Sequence, residues 1–412
     1  MSITNILSAL GNNNSIWPLF VRDCGIENVA KVTMTYKQNA KESKFIAKQA
    51  TRERFIDEYG TSAVWLGGIP LIEKLSDTFI KSKGFSPEIS TKLFKETQNQ
   101  GLNTNIKKFK DVASKEVNEL IFLKNNKNKF KSLQVGKLIA STLIPIAVMG
   151  FILPKVNFNF TKKKMEEEKK KDVKNFIKID EFIKNTSSSP SFTGNFDILN
   201  ISQLQKMLLL DGGLSLGRIK TGRNKDEKEE LALKMAGMCY LNYIAPKKIE
   251  KGLNNVTKKI FKINTQLDPK ILKNPTFIND IKENKFVLPK DTTEKAIIDF
   301  FDTKPESTFS QMAKEQGLVK YLPNNIRDPR KYVEIEKVNE FVDSIKDFIN
   351  DSKKSDSLEN FVKKAYKAKA FNIIANVAIS SFLLAIALPK VQFLFRKLKT
   401  GSSLEPGLKN EK

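Results

Sequence analysis

Three cations beside a glycine-rich run are the residues whose types and spacing most resemble a binding site. Arg218, Lys220 and Arg223 accompany the sequence GGLSLGRI at 212–219, whose glycines have the spacing of a phosphate-binding P-loop. That motif needs Lys and then Ser or Thr after its last glycine, where this chain has Arg218 and Ile219. We therefore expect a tight polar turn or, alternatively, a loose site where the three cations contact an anion or a lipid headgroup.

Two aspartates, Asp23 and Asp211, occupy matching places in two similar stretches of the chain. Arg22 stands beside the first aspartate, and Arg218 follows the second less closely. A carboxylate and an arginine near a membrane segment can form an ion or substrate site, although such groups are more commonly structural ion pairs or helix caps. The pattern makes Asp23 and Asp211 a candidate buried polar pair.

The composition excludes several kinds of catalytic and metal-binding site. The chain has no histidine, which excludes a Ser-His or Cys-His nucleophile pair and a histidine-ligated metal. The carboxylate pairs Asp57–Glu58 and Glu229–Glu230 lie in charged helical runs, where we expect them to be solvated rather than to act as an acid and a base. The sequence therefore predicts no catalytic residue, no metal and no cofactor.

The side chains named above must be positioned by secondary structure. Two long apolar segments are its most prominent elements in the sequence. They cover 138–154 and 371–389, and each leads into the same kind of exit sequence, LPKVNFNF at 153–160 and LPKVQFLF at 388–395. The two exit sequences start 235 positions apart (388 − 153 = 235) and align with each other over their whole length. Because chance rarely produces such a sequence twice, we interpret the segments as two copies of one helix.

Further similarities recur in the same order in both halves. The stretch GTSAVWLGGIP at 60–70 resembles GMCYLNYIAP at 237–246, and FSPEI at 85–89 resembles LDPKI at 267–271. Each similarity is weak alone, but their common order indicates a tandem duplication. In this interpretation, each copy contains one long apolar segment and one shorter apolar segment.

The duplication predicts the division of the chain. The expected parts are an N-terminal segment (1–22), a first membrane repeat (23–184), a linker (185–200), a second membrane repeat (201–400) and a disordered tail (401–412). A polar insertion within 273–364 should form short helices and loops, because prolines punctuate it.

A membrane location follows from segment length and flanking charge. A helix needs about 20 residues to cross an apolar core of about 30 Å, and the long segments approach that length when their flanking lysines reach toward the headgroups. The formal charge of +25 comes mostly from lysine, which favours anionic lipid over base-specific contact with nucleic acid. Buried core helices and interfacial segments remain the alternatives. Lysine on both sides leaves the orientation open.

We therefore predict a mainly α integral membrane protein without a cleavable signal peptide. The expected function is that of a non-enzymatic scaffold or envelope-associated protein with basic surfaces that contact lipid. The alternative is a duplicated transporter or channel whose site lies between the two repeats, near Asp23 and Asp211. The expected partners are an anionic lipid membrane and either a second copy or another membrane protein, with nucleic acid unlikely.

Overall fold

The computed structural model describes residues 2–11, 20–97, 99–172, 203–263 and 267–409. Their regular structure is helical, with one isolated β-bridge between Tyr321 and Arg327 in the part of the chain that is described. The predicted mainly α class is confirmed. The predicted linker, 185–200, lies outside the described residues.

The helices are numbered here in chain order. They are α1 (Ile3–Gly11), α2 (Asn28–Asn39), α3 (Lys44–Ala63), α4 (Ile69–Ser82), α5 (Leu102–Phe109), α6 (Ser114–Asn125), α7 (Lys127–Ala147), α8 (Leu153–Asp172), α9 (Gln203–Thr221), α10 (Lys225–Cys239), α11 (Ala245–Phe261), α12 (Pro275–Lys282), α13 (Glu294–Thr303), α14 (Thr308–Glu315), α15 (Ile335–Ser352), α16 (Leu358–Phe382), α17 (Leu388–Thr400) and α18 (Pro406–Lys409). Two short 3₁₀ turns lie at Thr91–Phe94 and Ile271–Lys273.

Four pairs of these helices join end to end through a π-helical turn. The turns follow α3, α7, α10 and α16 and cover Val64–Gly68, Val148–Ile152, Tyr240–Ile244 and Leu383–Ala387. A proline follows every one of them, at the second position of the next helix: Pro70, Pro154, Pro246 and Pro389. Proline lacks the amide that would bond four residues back, and its ring crowds that carbonyl, so a wider turn lets the helix continue.

Two of the long helices are apolar enough to cross a membrane. They cover Lys127–Glu167 and Leu358–Thr400, with best-window mean hydropathies of 1.9 and 2.1. Only 33% and 28% of the residues in those windows are buried within the protein. The predicted membrane location therefore has two candidate spanning helices.

The chain forms two compact units that do not coincide with the predicted repeats. The first unit contains residues 1–22, 73–137 and 240–383, and the second contains 23–72, 138–239 and 384–412. Each unit therefore draws chain from both halves of the sequence.

The first unit has its main core in the polar insertion. Helices α12 to α15 occupy this region, and side-chain caps from Asn274, Thr293 and Ser307 start three of them. Phe301 and Phe309 are fully buried and stack with ring centroids 5.9 Å apart. The insertion thus supplies its own apolar core.

The second unit packs α9 closely against the π turn that follows α7. A Cβ added at Gly217 would lie 2.9 Å from the Cα of Gly150, and one at Gly213 would lie 2.5 Å from Ile146. Small residues four apart allow such close helix contact. The predicted polar turn at 212–219 is therefore wrong: Gly212, Gly213 and Gly217 lie inside α9, and the last two allow close helix packing rather than a turn.

The predicted disordered tail is also wrong for the part that is described. Leu404 and Leu408 are almost completely buried in a cluster with Ile46, Ala50 and Met165. Leu404 precedes the short helix α18, and Leu408 lies within it. The polar composition of 401–412 concealed this small apolar contact.

Candidate functional site

A buried ion cluster in the second unit is the candidate site. Its members are side chains of both signs from the π turn Val21–Glu27, from α2, α3, α9, α10 and α17, from the connection between α9 and α10, and from the C-terminal segment, residues 401–409. The acidic members are Glu27, Glu53, Asp57, Glu58, Glu227, Glu230 and Glu405, and the basic members are Lys31, Arg54, Arg218, Arg223, Lys234 and Arg396. Burying so many charges is costly unless they are paired.

Glu58 on α3 is the acidic group with the most cationic neighbours in the cluster. Its carboxylate lies 3.0 Å from Lys234, 3.3 Å from Arg54 and 3.4 Å from Lys31. Burial alone would raise the pKa of Glu58, but these three cations hold that pKa well below its usual value. Lys31 bonds Glu27 as well, and although burial opposes its charge, the two carboxylates raise the pKa of Lys31.

Arg223, in the connection between α9 and α10, joins two more carboxylates. It donates from both Nη1 and Nη2 to Glu53 at 3.0 Å, and from Nη2 to Glu227 at 2.8 Å. Its guanidinium lies over the ring of Phe158, 4.2 Å from the centroid. Burial raises the pKa of Glu53 even though Arg223 opposes this change.

Arg396 on α17 holds a third group of acids. Its Nε and Nη2 donate to the carboxylate of Glu230 at 2.8 and 2.5 Å, and Gln392 donates to the same carboxylate at 2.6 Å. Glu405 of the C-terminal segment lies 2.5 Å from the same Nη2 and 3.5 Å from Arg54. The segment therefore contributes a charge to the interior of the unit.

A cavity of about 70 Å³ lies within the ion cluster. Its lining includes Glu53, Asp57, Asn157, Arg218 and Glu230. Nε of Arg218 and Oδ1 of Asn157 are buried atoms without a hydrogen-bond partner among the described residues. A donor and an acceptor of this kind are the partners that a small number of water molecules would satisfy.

Several contacts of the unit occur twice, at matching positions in the two halves. Gly60 closely approaches Leu153, and Gly237 closely approaches Leu388. Seven residues before each glycine stands a buried glutamate: Glu53 accepts at its backbone carbonyl from Asn157, and Glu230 accepts at its carboxylate from Gln392. Each amide donor follows its leucine by four positions.

The predicted cations do not lie in one loop. Arg218 lies on α9 and donates to Asp57 at 2.6 Å and to Thr61 at 2.7 Å, and Arg223 binds Glu53 and Glu227. Lys220 is exposed. The anionic partners of both arginines are thus carboxylates of this chain.

The two predicted aspartates are half-buried rather than buried. Asp23 lies in the π turn Val21–Glu27 and acts electrostatically on Lys31, whereas Asp211 lies on α9 and acts on Cys239. Neither aspartate lines the cavity in the ion cluster.

Sequence reasoning missed the acidic members of the cluster. Glu58 and Glu230 were expected to be solvated, but they are 8% and 3% exposed. One available signal was a glutamate seven residues before a glycine at two places, Glu53 before Gly60 and Glu230 before Gly237, and both of these glutamates are buried. This spacing does not apply to Glu58.

The fold and the cluster define a mainly helical protein with two apolar long helices and a buried polar site. Comparisons with protein-family models, curated proteins and solved structures find no match.

Proposed function

We propose that this chain is an integral membrane protein built from two tandem copies of one helical unit, and that it acts as a non-enzymatic scaffold. The observation that carries the membrane location is the exposure of the two apolar helices, whose most hydrophobic windows are only 33% and 28% buried. The core helix of a soluble domain would bury most of such a window, whereas lipid covers it in a bilayer.

Individual side chains support this exposure. Ile139, Leu143 and Ile144 on α7 are 49%, 51% and 50% exposed. Contiguous exposed apolar surface of this kind marks a membrane or protein contact. Exposed lysines flank the helix, among them Lys129 and Lys162, and anionic lipid headgroups would be favourable partners for them.

The repeated contacts support the tandem duplication. The π turns Val148–Ile152 and Leu383–Ala387 are separated by the same distance as the exit sequences (383 − 148 = 235). The pairs Gly60–Leu153 and Gly237–Leu388 place equivalent residues in equivalent contacts. Two copies of one ancestral unit account for both observations.

The pairing within the ion cluster supports a scaffold rather than an enzyme. Its charged groups contact one another, and the cavity of about 70 Å³ leaves room for little more than water. On this proposal the cluster stabilises the unit, and the working surfaces are the exposed ones. The partners are an anionic membrane and a second copy or another membrane protein.

A charge placed on the exposed face of α7 tests the membrane location. We expect Leu143→Lys to shift the protein from the carbonate-resistant membrane pellet toward the supernatant, because a lysine at the centre of a span costs roughly 2.5–3.5 kcal/mol. If α7 faced water instead of lipid, the same substitution at this 51% exposed position would leave the stability of the protein nearly unchanged.

Leu398→Lys is the matched control for that experiment. Leu398 is 79% exposed and follows the exit sequence of the second apolar segment, so its replacement should leave the membrane fraction unchanged. Release of the unmodified protein by carbonate, or equal behaviour of the two variants, would contradict the proposal.

A transporter or channel is the second candidate, and the cavity favours it. Both halves of the sequence line this cavity, and two of its lining residues, Arg218 and Asn157, each have a buried polar atom without a hydrogen-bond partner among the described residues. A polar site between repeats is typical of duplicated transporters.

Flux measurements separate the two candidates. If the cavity is a transport site, proteoliposomes should conduct a small ion such as Na⁺ or Cl⁻, and Asn157→Leu should abolish that flux. Asn103→Leu, at an exposed position, should not. The scaffold proposal expects no flux above empty liposomes for any of the three proteins.

A further inference from the structure

The C-terminal segment, residues 401–409, closes over the cavity in the ion cluster. Glu405 and Pro406 form part of the cavity lining. The backbone amide of Glu405 donates to Asn39 at 2.8 Å, and the carbonyl of Pro406 accepts from Asn224 at 2.7 Å. Polar contacts therefore hold the segment from two directions, while Leu404 and Leu408 supply apolar burial.

Glu405 brings a second carboxyl group to an arginine that already has one. Nη2 of Arg396 lies 2.5 Å from Oε1 of Glu230 and 2.5 Å from Oε2 of Glu405. The Oε2 atom of Glu405 is buried, and the Nη2 atom of Arg396 is its charged contact. Two carboxylates that meet at one nitrogen repel each other, and a proton on either of them removes that repulsion.

We propose that Glu230 and Glu405 bind one proton between them, and that this proton stabilises the closed position of the C-terminal segment over the cavity. When the segment closes, one proton passes from solvent to the carboxyl pair, and when it opens, the proton returns. The proposal concerns the second unit alone and does not depend on a membrane location.

The other charged groups around the carboxyl pair come from α3, α9, α10 and the connection between α9 and α10. Glu53, Arg54 and Asp57 on α3, Arg218 on α9 and Glu227 on α10 line the same cavity, and Arg223 in the connection acts electrostatically on Glu405. Arg54 contacts Glu405 as well as Glu58, whereas Arg218 pairs with Asp57 and Arg223 with Glu53 and Glu227. This leaves Arg396 as the cation that both members of the pair share.

The direction of the pKa changes agrees with this arrangement. Burial raises the pKa of Glu230 above its ordinary value of 4.5, and the negative charge of Glu405 raises it further, against the opposing effect of Arg396. Burial also acts on Glu405, but Arg396 and Arg54 hold its pKa below the ordinary value. Glu230 is therefore the member that keeps the proton.

The sign of the pH dependence follows. Because Glu230 has a raised pKa in the closed form, closure takes up a proton, and its contribution to stability is fully present below the ordinary pKa. It is lost as pH rises through the raised pKa. Because the pKa of Glu405 is held below its ordinary value, Glu405 adds no opposing change as pH rises above that value.

Hydrogen exchange of the full-length protein between pH 5.5 and 8.5 tests the proposal. After correction for intrinsic exchange rates, protection of the amides of residues 404, 405, 407 and 408 should fall with rising pH, by up to about tenfold per pH unit for one linked proton. Protection that does not change with pH would overturn the proposal.

Three variants identify the groups responsible. Glu230→Gln and Glu405→Gln should each remove the pH dependence of protection, because neither leaves a pair of carboxyl groups at Arg396. Glu229→Gln is the matched control: its side chain is 40% exposed and pairs with Lys399, so the dependence should persist. A normal pH dependence in both Glu230→Gln and Glu405→Gln would overturn the assignment. Because Leu404 and Leu408 still anchor the segment, Glu405→Gln remains informative if Glu230→Gln misfolds.

Discussion

Replacing Glu58 with alanine is expected to reduce the free energy of unfolding by roughly 3–5 kcal/mol, because it removes one partner from a buried ion cluster. The side chain of Glu58 is 9% exposed and lies within 3.4 Å of three cationic groups. Without it, those cations remain buried with fewer carboxylates to compensate them. Denaturant unfolding of the detergent-solubilised protein, followed by circular dichroism, measures the loss.

A double variant shows whether the loss comes from uncompensated charge. Lys234 is 3% exposed and lies closest to Glu58, at 3.0 Å. Adding Lys234→Met to Glu58→Ala should recover part of the stability, since an apolar pair can replace a buried ion pair at little cost. Strictly additive effects of the two changes would contradict this account.

An exposed ion pair supplies the control for both variants. Glu167 pairs with Lys164 at 2.8 Å, and the two side chains are 59% and 46% exposed. Glu167→Ala should change stability by less than about 1 kcal/mol, because solvent screens such a pair. An equally large loss at Glu167 would show that burial is not the cause.

Replacing either of two glycines of α9 with alanine is expected to change the free energy of unfolding in opposite directions. Gly217→Ala should destabilise the protein by roughly 1–3 kcal/mol, because its new Cβ would lie 2.9 Å from the Cα of Gly150. Gly212→Ala should instead stabilise it by about 0.5–1 kcal/mol, because nothing lies within 4 Å of that Cβ and alanine favours the helix.

The same unfolding measurement compares the two glycine variants. Both substitutions add one methyl group within one helix, so helix propensity acts on them alike and only the contact with the π turn Val148–Ile152 differs. Stabilisation by both would show that the close approach of the helices does not exist. Destabilisation by both would indicate a turn at 212–219, as the sequence alone suggested.

The glycine run illustrates why local sequence was insufficient. GGLSLG contains residues that are typical of turns, and its helical conformation depends on a neighbour more than 60 positions earlier, at Gly150. The C-terminal segment is a second example, because Leu404 and Leu408 become a core only beside Ile46 and Met165. Neither partner could be identified from the segment itself.

The ion cluster shows the same limit for charged residues. Asp57–Glu58 and Glu229–Glu230 stand in runs whose composition is typical of solvated helices. Glu58 and Glu230 are nevertheless buried, because they contact α10 and α17, respectively, at positions that are distant from them in sequence. A glutamate seven residues before a glycine recurs at Glu53 and Glu230, and this spacing carried information about those two residues but not about Glu58.

The sequence by itself determined the helical class, because periodic apolar positions and apolar runs dictate local backbone structure. The π turns were not determined in this way, since Pro145 lies inside regular α7 while Pro154 follows a π turn. Tertiary structure alone decided which charges are buried and how they pair. The physical reason is that desolvation depends on what covers a side chain, and here the covering groups come from distant parts of the chain.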